Sequence, residues 1–237
     1  MLDNLRRTLI RQEETVIFAL IERAQFKMNS IVYEDGGIYV PDHSGSFLDF
    51  FLLKTEELHA LTRRYTDPSE HPFSGNLPDP LIPGVACESP IVDTSINVNA
   101  EILRHYVDCI VPQVCSEGDC GNYGSSVCCD VHCLQSLSKR IHYGKFIAEA
   151  KFRADRDRYE CLIRDRDATG IMSALVDKSI ESRVLRRVLK KAAAYGCDPD
   201  GDDGMPKVLP EVIVEVYRDF LIPLTCKVEV DYLLSRL

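Results

Sequence analysis

Apolar residues recur at helical spacing along most of the chain, three or four positions apart on one face of each segment. The pattern predicts helices over residues 3–26, 47–65, 100–115, 125–152, 156–166, 168–175, 179–195 and 210–237. Asp3 and Asn4 are candidate N-caps for the first helix, and Pro112 predicts a kink in the third. We find neither sustained period-two alternation nor an internal repeat. The sequence therefore predicts an all-α fold with one domain over residues 1–237.

Residues 67–95 interrupt the helical pattern. This segment contains six prolines, which are too many for a helix and too irregularly spaced for a strand. Connections longer than about 12–15 residues are usually functional or packed across the surface of a domain. We therefore expect this long connection to shape an interface or a regulatory site.

Charge and hydropathy narrow the range of functions. The 237 residues include 28 Lys and Arg against 37 Asp and Glu, and the resulting net charge of −9 opposes binding to nucleic acids or anionic membranes. The longest apolar runs, residues 16–21 and 50–53, are far shorter than the roughly 18–20 residues that a membrane span needs. No leader pattern precedes the first helix, so we expect a soluble chain whose targeting peptide is absent or already removed.

The cysteines and other metal-binding residue types form no recognisable motif. Ten cysteines occur without a C-x₂-C pair and without a sequon that would indicate secretion, which favours a reduced compartment and small packed thiols over a zinc site. Residues 198–209 imitate a calcium loop, but Asp203 stands where glycine is required and Leu209 where glutamate is required. We therefore predict no metal site and no cofactor, and no signature of a covalent hydrolase or a nucleotide-binding loop is present.

Two cations lie on one stripe of the predicted helix 125–152. Arg140 and Lys151 are eleven residues apart, and eleven steps of about 100° return to nearly the same direction. Gly144 and Ile147 lie between them on the same stripe, so the surface between the two cations is apolar and lacks a side chain at Gly144. This shape suits a small anion with an apolar ring. The alternative is that both long side chains extend to solvent.

The last helix carries a carboxylate at a buried position. Glu229 shares a stripe with Ile222, Thr225 and Leu233, so burial is expected to raise its pKa and keep it a proton donor near neutrality. The alternative is a buried ion pair with a neighbouring helix. Because Arg6 similarly continues an apolar stripe of the first helix, these charges together predict a polar cavity in a helical bundle core.

Five segments of the sequence are characteristic of one enzyme family. They are LRRTLIRQE at residues 5–13, IFALIER at 17–23, GSFLD at 45–49, CLQSLSKRIHYGKFIAEAKF at 133–152 and IPLTCKVEVDYLL at 222–234. These strings closely resemble the all-helical chorismate mutases of plants and fungi, and the resemblance extends over essentially the whole chain. Within that family, the sequence most resembles the regulated plastid type of plants.

The resemblance implies that chorismate is the substrate and that it undergoes a Claisen rearrangement to prephenate, the committed step toward Phe and Tyr. It also implies a homodimer that needs no cofactor. Such a reaction requires a compact substrate conformer and stabilisation of negative charge on the breaking ether oxygen, and it needs no nucleophile. The alternative is a catalytically silent helical binding or effector protein that keeps the fold.

The family pattern assigns roles to the charged residues of the predicted cavity. Arg6 and Arg140 would hold the substrate carboxylates, and Lys151 and protonated Glu229 would donate hydrogen bonds to the ether oxygen.

Three further residues match the family pattern near the substrate. Glu181 would bind the ring hydroxyl, Asp177 would assist it at the start of a helix, and Thr225 would contact a carboxylate.

The family also has an effector site for aromatic amino acids at the dimer interface. The resemblance implies a regulatory and dimerisation region at roughly residues 45–127, with Trp, Tyr or Phe as effectors. The matching residues are Arg63, Arg64, Asn122, Gly124 and Ser125. The alternative is that Arg63 and Arg64 only cap the carbonyls of their own helix. Since the Gly124-Ser125 pair resembles the plastid type, we predict a location in the plastid stroma, with the cytosol as the alternative.

Overall fold

The computed structural model of the chain describes residues 2–84, 89–196 and 206–236, with side chains from residue 4 onward. Every regular element in these ranges is helical, as the sequence predicts. The calcium-like run at residues 198–203 lies outside the described residues. The α-helices are α1 Leu2–Arg23, α2 Phe47–Leu61, α3 Asn99–His105, α4 Val111–Val114, α5 Tyr123–His142, α6 Gly144–Ala154, α7 Arg156–Arg164, α8 Ala168–Leu175, α9 Lys178–Gly196, α10 Pro210–Glu215 and α11 Ile222–Leu234.

The first helix ends three residues earlier than predicted because of a buried arginine. Arg23 is fully buried, forms an ion pair with Asp130 of α5 at 2.5 Å, and donates to the carbonyl oxygens of residues 26, 27 and 28. These three carbonyls are thus satisfied outside the helix. At the other end α1 already begins at Leu2, so the prediction that Asp3 and Asn4 cap it is wrong: both lie in its first turn.

The second helix begins as predicted and ends four residues early. Ser46 caps α2 through a capping box in which its hydroxyl accepts from the Asp49 N–H at 3.0 Å and the Asp49 carboxylate accepts from the Ser46 N–H at 3.1 Å. The chain then turns at Arg63, whose φ of 66° is left-handed and cannot continue an α-helix. A short 3₁₀ helix, Arg64–Thr66, follows, and a second one occurs earlier at Ser30–Tyr33.

Prolines divide two of the predicted helices. A π-helical segment, Tyr106–Ile110, precedes Pro112, and another, Val216–Leu221, precedes Pro223. Proline lacks the N–H that the preceding turn needs as a donor, so the helix widens just before it. The kink predicted at Pro112 stays a prediction, whereas the helix predicted over residues 210–237 is found from Pro210 to Leu234 with the π-helical segment inside it.

The predicted long helix over residues 125–152 is divided into two. Helix α5 begins at Tyr123, and a one-residue turn at Tyr143 separates it from α6. Gly144 follows this turn, and a Cβ built there would lie 2.9 Å from the backbone oxygen of Thr225. The missing side chain therefore lets α6 approach α11 closely. The expectation that Gly144 forms the floor of a ligand site is wrong, because that space is occupied by the α11 backbone.

Two buried apolar clusters form the interior. The larger joins α1, α2, the α3–α4 segment, α5 and the elements from α9 to the start of α11, and the smaller joins α6, α7, α8 and the end of α11. The long connection crosses the surface and is held by buried Glu56, which accepts from the backbone N–H groups of Phe73 and Ser74 at 2.8 and 2.7 Å. In the described part of the chain, no helix is both long and apolar enough to cross a bilayer.

Candidate active site

A cavity of about 770 Å³ lies between the two apolar clusters, lined by α1, α5, α6, α7, α8, α9 and α11. We call it the core cavity. It brings together all seven side chains that the sequence assigns to catalysis and substrate binding, from five different helices and the turn before α9. They are Arg6, Arg140, Lys151, Asp177, Glu181, Thr225 and Glu229.

The cations differ in exposure. Arg140 is only 6% exposed, and its Nε and Nη1 have no hydrogen-bond partner among the described residues. Burial lowers the pKa of Arg140, so keeping this guanidinium charged costs folding free energy. Lys151 is partly exposed and donates to the Leu175 carbonyl oxygen at 2.8 Å. Arg6 is exposed near the start of α1, at the edge of the cavity.

Glu229 is the buried acid of the core cavity. It is 5% exposed, and burial raises the pKa of its carboxyl while Lys151 and Arg140 partly oppose the rise. The Lys151 Nζ lies 3.1 Å from its Oε2. The sequence offered burial with a raised pKa and a lysine partner as alternatives for Glu229. The carboxyl has both features, because it is buried and also lies at ion-pair distance from Lys151.

The remaining predicted residues have local partners. Asp177 precedes α9, and its Oδ1 accepts from the Ser179 N–H, the Ser179 hydroxyl and the Ile180 N–H at 2.9, 2.7 and 3.3 Å, which lowers its pKa. Glu181 is half-buried in the first turn of α9. The Thr225 hydroxyl donates its proton to the Leu221 carbonyl oxygen at 2.7 Å. In this orientation the hydroxyl oxygen can accept a hydrogen bond from a ligand, and it can donate to a ligand only after the hydroxyl rotates.

Sequence reasoning missed five polar residues of the core cavity, which are Asp155, Tyr159, Lys178, Ser179 and Cys226. Cys226 lines it beside Thr225, and burial raises the pKa of this thiol to about 11. Its position three residues before Glu229 places it on the same helical face, which is a signal that could have found it. Tyr159 of α7 is buried and also lines the cavity, but its short helix offers no comparable pattern.

The predicted effector residues fall into two groups. Arg63 donates to the Ile82 carbonyl oxygen at 3.2 Å, and Arg64 contacts Glu70 at 3.2 Å and Gln135 at 3.0 Å. These contacts lie outside α2, so the alternative in which both arginines only cap their own helix is wrong.

The second group lies at the start of α5. Asn122 is the N-cap residue, and Gly124 and Ser125 lie in the first turn of the helix, which begins two residues earlier than predicted. All three are exposed, and a Cβ built on Gly124 would meet nothing within 4 Å. Gln135, the α5 contact of Arg64, is ten residues farther along this helix, or about 15 Å. One chain therefore does not bring the two groups together.

The described cysteines, eight of the ten in the chain, are all free thiols. Among the described residues, no group of three or more Cys, His, Asp or Glu side chains is arranged to hold a metal ion.

The fold and the core cavity define the class of protein: an all-α protein in which cations and a buried acid from several helices face one internal cavity. Comparison with known proteins gives the family. The family profile "Chorismate mutase type II" matches residues 122–230. The chain is 47% identical to the chorismate mutase of Schizosaccharomyces pombe over 100% of this chain and 96% of that protein. It is 42% identical to chloroplastic chorismate mutase 1 of Petunia hybrida over 100% of this chain and 76% of that protein.

Solved structures agree with the sequence relatives. Aro7p chorismate mutase from Candida albicans, in complex with L-Trp, superposes with a TM-score of 0.96 at 45% identity, covering 100% of this chain and 91% of that one. AtCM1 with tyrosine bound in its allosteric site superposes with a TM-score of 0.92 at 39% identity, covering 100% and 96%. The chain belongs to the chorismate mutase family, the all-helical isomerases that convert chorismate to prephenate.

Proposed function

We propose that the core cavity is where chorismate rearranges to prephenate. In this unimolecular reaction one C–O bond breaks as one C–C bond forms, and negative charge grows on the ether oxygen. An enzyme accelerates such a step by holding a compact conformer and by placing donors where the charge develops. The observation that carries the proposal is the pair Lys151 and Glu229, whose Nζ and Oε2 lie 3.1 Å apart in a cavity shared with buried Arg140.

Lys151 and protonated Glu229 are the proposed donors to the ether oxygen. Two donors about 3 Å apart can converge on one acceptor. Because burial favours the neutral acid, the Glu229 carboxyl can carry the proton that this contact needs. An ionised carboxylate at the same place would instead repel the developing charge.

Arg140 and Arg6 are the proposed partners of the two substrate carboxylates. The Nε and Nη1 of Arg140 are buried without a hydrogen-bond partner among the described residues, so a substrate carboxylate would satisfy groups that these residues leave unpaired. Arg6 lies at the exposed edge of the cavity, where it can bind the second carboxylate.

Glu181, Asp177 and Thr225 complete the proposed substrate contacts. Glu181 and Asp177 lie near the start of α9, on the side assigned to the ring hydroxyl. Asp177 also holds the first turn of α9 in place, which positions Glu181. Thr225 on α11 would contact a carboxylate after its hydroxyl leaves the Leu221 carbonyl oxygen.

Turnover by the purified chain tests this proposal. We expect loss of chorismate absorbance well above the uncatalysed rate, with prephenate identified as the product. Tight binding of a bicyclic transition-state analogue without turnover would instead indicate a silent binding protein with this fold.

We further propose that the chain forms a homodimer regulated by aromatic amino acids. Leu58 and Leu81 are 61% and 78% exposed, next to the Arg63–Arg64 corner, and a second copy could cover them. Pairing of two chains would also bring Arg63 and Arg64 of one chain to the α5 start of its partner. The Trp complex of the Candida relative and the tyrosine complex of AtCM1 support such effectors.

Relatives at similar identity come from a fungus and from a plant, where the enzyme is chloroplastic. The plastid stroma, with the cytosol as the alternative, stays a prediction. Imaging of the tagged full-length protein in its source cells tests it.

A further inference from the structure

A second cavity, of about 910 Å³, lies apart from the core cavity at the turn between α5 and α6. Its walls come from Arg63 and residues 65–66 after α2, from residues 67–72 and 89–94 of the long connection, and from Tyr143, Lys145 and Phe146 at the α5–α6 turn. Unlike the core cavity, it has no role in the proposed reaction. Its volume lies within the range of small-molecule sites, about 300–1,000 Å³.

A buried lysine lies at this cavity without a carboxylate partner. Lys145 is only 2% exposed, and its Nζ donates to the Ile96 carbonyl oxygen at 2.6 Å and to His71 Nε2 at 2.8 Å. Among the described residues, no carboxylate oxygen lies within 4 Å of this nitrogen, although Asp93 is near enough to favour its charge. A buried charge is normally neutralised by a partner. The ammonium group also has three N–H donors, of which these two contacts use two.

The two histidines beside Lys145 add no charge of their own to the second cavity. His71 stacks on His142 with ring centroids 4.0 Å apart, and burial lowers the pKa of His71 to about 3 and that of His142 to about 4. Both rings are therefore neutral near pH 7. Burial lowers the pKa of Lys145 to about 8, so its ammonium form still predominates at that pH.

The remaining walls combine apolar side chains with polar and acidic ones, and among the described residues they carry two unpaired hydroxyls, those of Tyr65 and Thr94. Tyr143 and Phe146 stack with centroids 4.8 Å apart, and Ile91 lies on the wall formed by the connection. The buried Thr94 Oγ1 has no hydrogen-bond partner among the described atoms. A ligand with an anionic end for Lys145 and Thr94 and an apolar body for the aromatic wall would complement this surface.

We propose that the second cavity binds a carboxylate with an aromatic or apolar body, and that Lys145 is its counter-ion. The carboxylate accepts the third N–H of Lys145 and the Thr94 hydroxyl proton, and the body packs against Phe146. An amino group is not part of this recognition, which distinguishes the ligand from amino-acid effectors at Arg64, although Arg63 of the predicted effector site also lines the second cavity. A polyanion is disfavoured by Asp67, Asp93 and Glu70, which also line the cavity.

Phenylacetate is a suitable probe, and its neutral isostere phenylacetamide is the matched control. Methyl NMR of the full chain with labelled isoleucines locates the binding, because Ile91 lines the second cavity whereas Ile147 and Ile222 line the core cavity. We expect phenylacetate to shift the Ile91 signal saturably, and phenylacetamide to leave it unchanged. Shifts confined to Ile147 and Ile222, or equal binding of the amide, would overturn the proposal.

Variants identify the binding groups. Lys145→Met should weaken phenylacetate binding at least tenfold, whereas Lys139→Met, which removes a nearby lysine paired with Glu70, should change it less than twofold. Thr94→Val removes only the unpaired hydroxyl of Thr94, so the variant should fold normally and weaken binding several-fold. This variant decides the matter if Lys145→Met does not fold. Unchanged affinity in Thr94→Val, or binding of inorganic phosphate without phenylacetate, would contradict the assignment.

Discussion

Arg140 shows at the scale of one residue how a site can oppose stability. Its guanidinium is buried, two of its nitrogens have no hydrogen-bond partner among the described residues, and burial lowers its pKa. For a base, a lowered folded-state pKa means that charging costs folding free energy. A substrate carboxylate would accept hydrogen bonds from those nitrogens in the complex. The unpaired donors therefore lower the folding stability of the ligand-free protein and raise its affinity for the substrate.

Replacing Arg140 with methionine should therefore separate function from stability. We expect kcat/KM for chorismate to fall by about 10²–10³-fold, as when one preorganised donor is removed. The free energy of unfolding should rise by about 1 kcal/mol, because an unsatisfied buried group costs about that much. Chorismate kinetics and urea titration measure the two effects, with Lys139→Met as the control. A variant that is less stable and fully active would show that Arg140 is structural.

Glu229 should give the enzyme a pH dependence of defined sign. Since burial raises the pKa of this carboxyl, the donor form is present below that pKa and is lost as the pH rises through it. We therefore expect kcat to decline with rising pH in the wild type. Glu229→Gln, whose amide donates at any pH, should flatten this decline.

The matched control for that profile is Asp231→Asn, which removes a carboxylate from the same helix but outside the core cavity. It should retain the wild-type decline. If Glu229→Gln and the wild type decline in parallel, another group must titrate.

At the scale of elements, α6 and α11 approach each other closely at Gly144. Gly144→Ala would place a Cβ 2.9 Å from the Thr225 backbone oxygen and 3.3 Å from the Glu229 Cγ. Because backbone cannot move as cheaply as a side-chain tip, the helices must separate, and overpacking of this kind costs about 1–3 kcal/mol. We expect a lower melting temperature and a lower kcat, since Lys151 and Glu229 lie on the two helices.

Gly75→Ala is the control for this substitution. A Cβ at Gly75 meets nothing within 4 Å, so its melting temperature and kcat should stay at the wild-type values. Equal behaviour of the two variants would mean that the helix contact tolerates a side chain.

The elements also show what the sequence could and could not predict. Helical spacing predicted the existence of every major helix, and the stripe through Arg140 and Lys151 correctly predicted that both face one cavity. The break at Tyr143 was not predictable from periodicity, because the turn residue keeps helical angles, φ −61° and ψ −13°. The early end of α1 depends on the contact of Arg23 with Asp130, 107 residues away, which no local pattern contains.

At the scale of the whole molecule, the effector proposal requires two chains. Arg64 and the α5 start lie apart in one chain, so the proposal needs a symmetric pair in which Arg64 of one chain lies next to the α5 start of its partner. The exposed Leu81 beside this corner provides a test of the pairing. Sedimentation should show a dimer for the wild type and a monomer for Leu81→Asp.

We predict that Trp raises activity and Tyr lowers it, because each binds a different arrangement of this dimer more tightly. Arg64 is the proposed carboxylate contact, and in the unliganded chain it is engaged by Glu70 and Gln135. An effector carboxylate would have to draw Arg64 away from Glu70, which retains Lys139 as a second partner. The guanidinium can thus change partners without leaving Glu70 unpaired, so the Arg64–Glu70 contact can exist in two states.

Activity at sub-saturating chorismate with and without each amino acid measures this response. Arg64→Ala should abolish both effects while keeping its basal kcat, since Arg64 lies outside the core cavity. Lys54→Ala removes an exposed cation of the same helix that pairs only locally with Glu57, and it should respond as the wild type does. A wild type indifferent to both ligands, or an Arg64→Ala variant that still responds, would leave the catalytic proposal intact and remove the regulatory one.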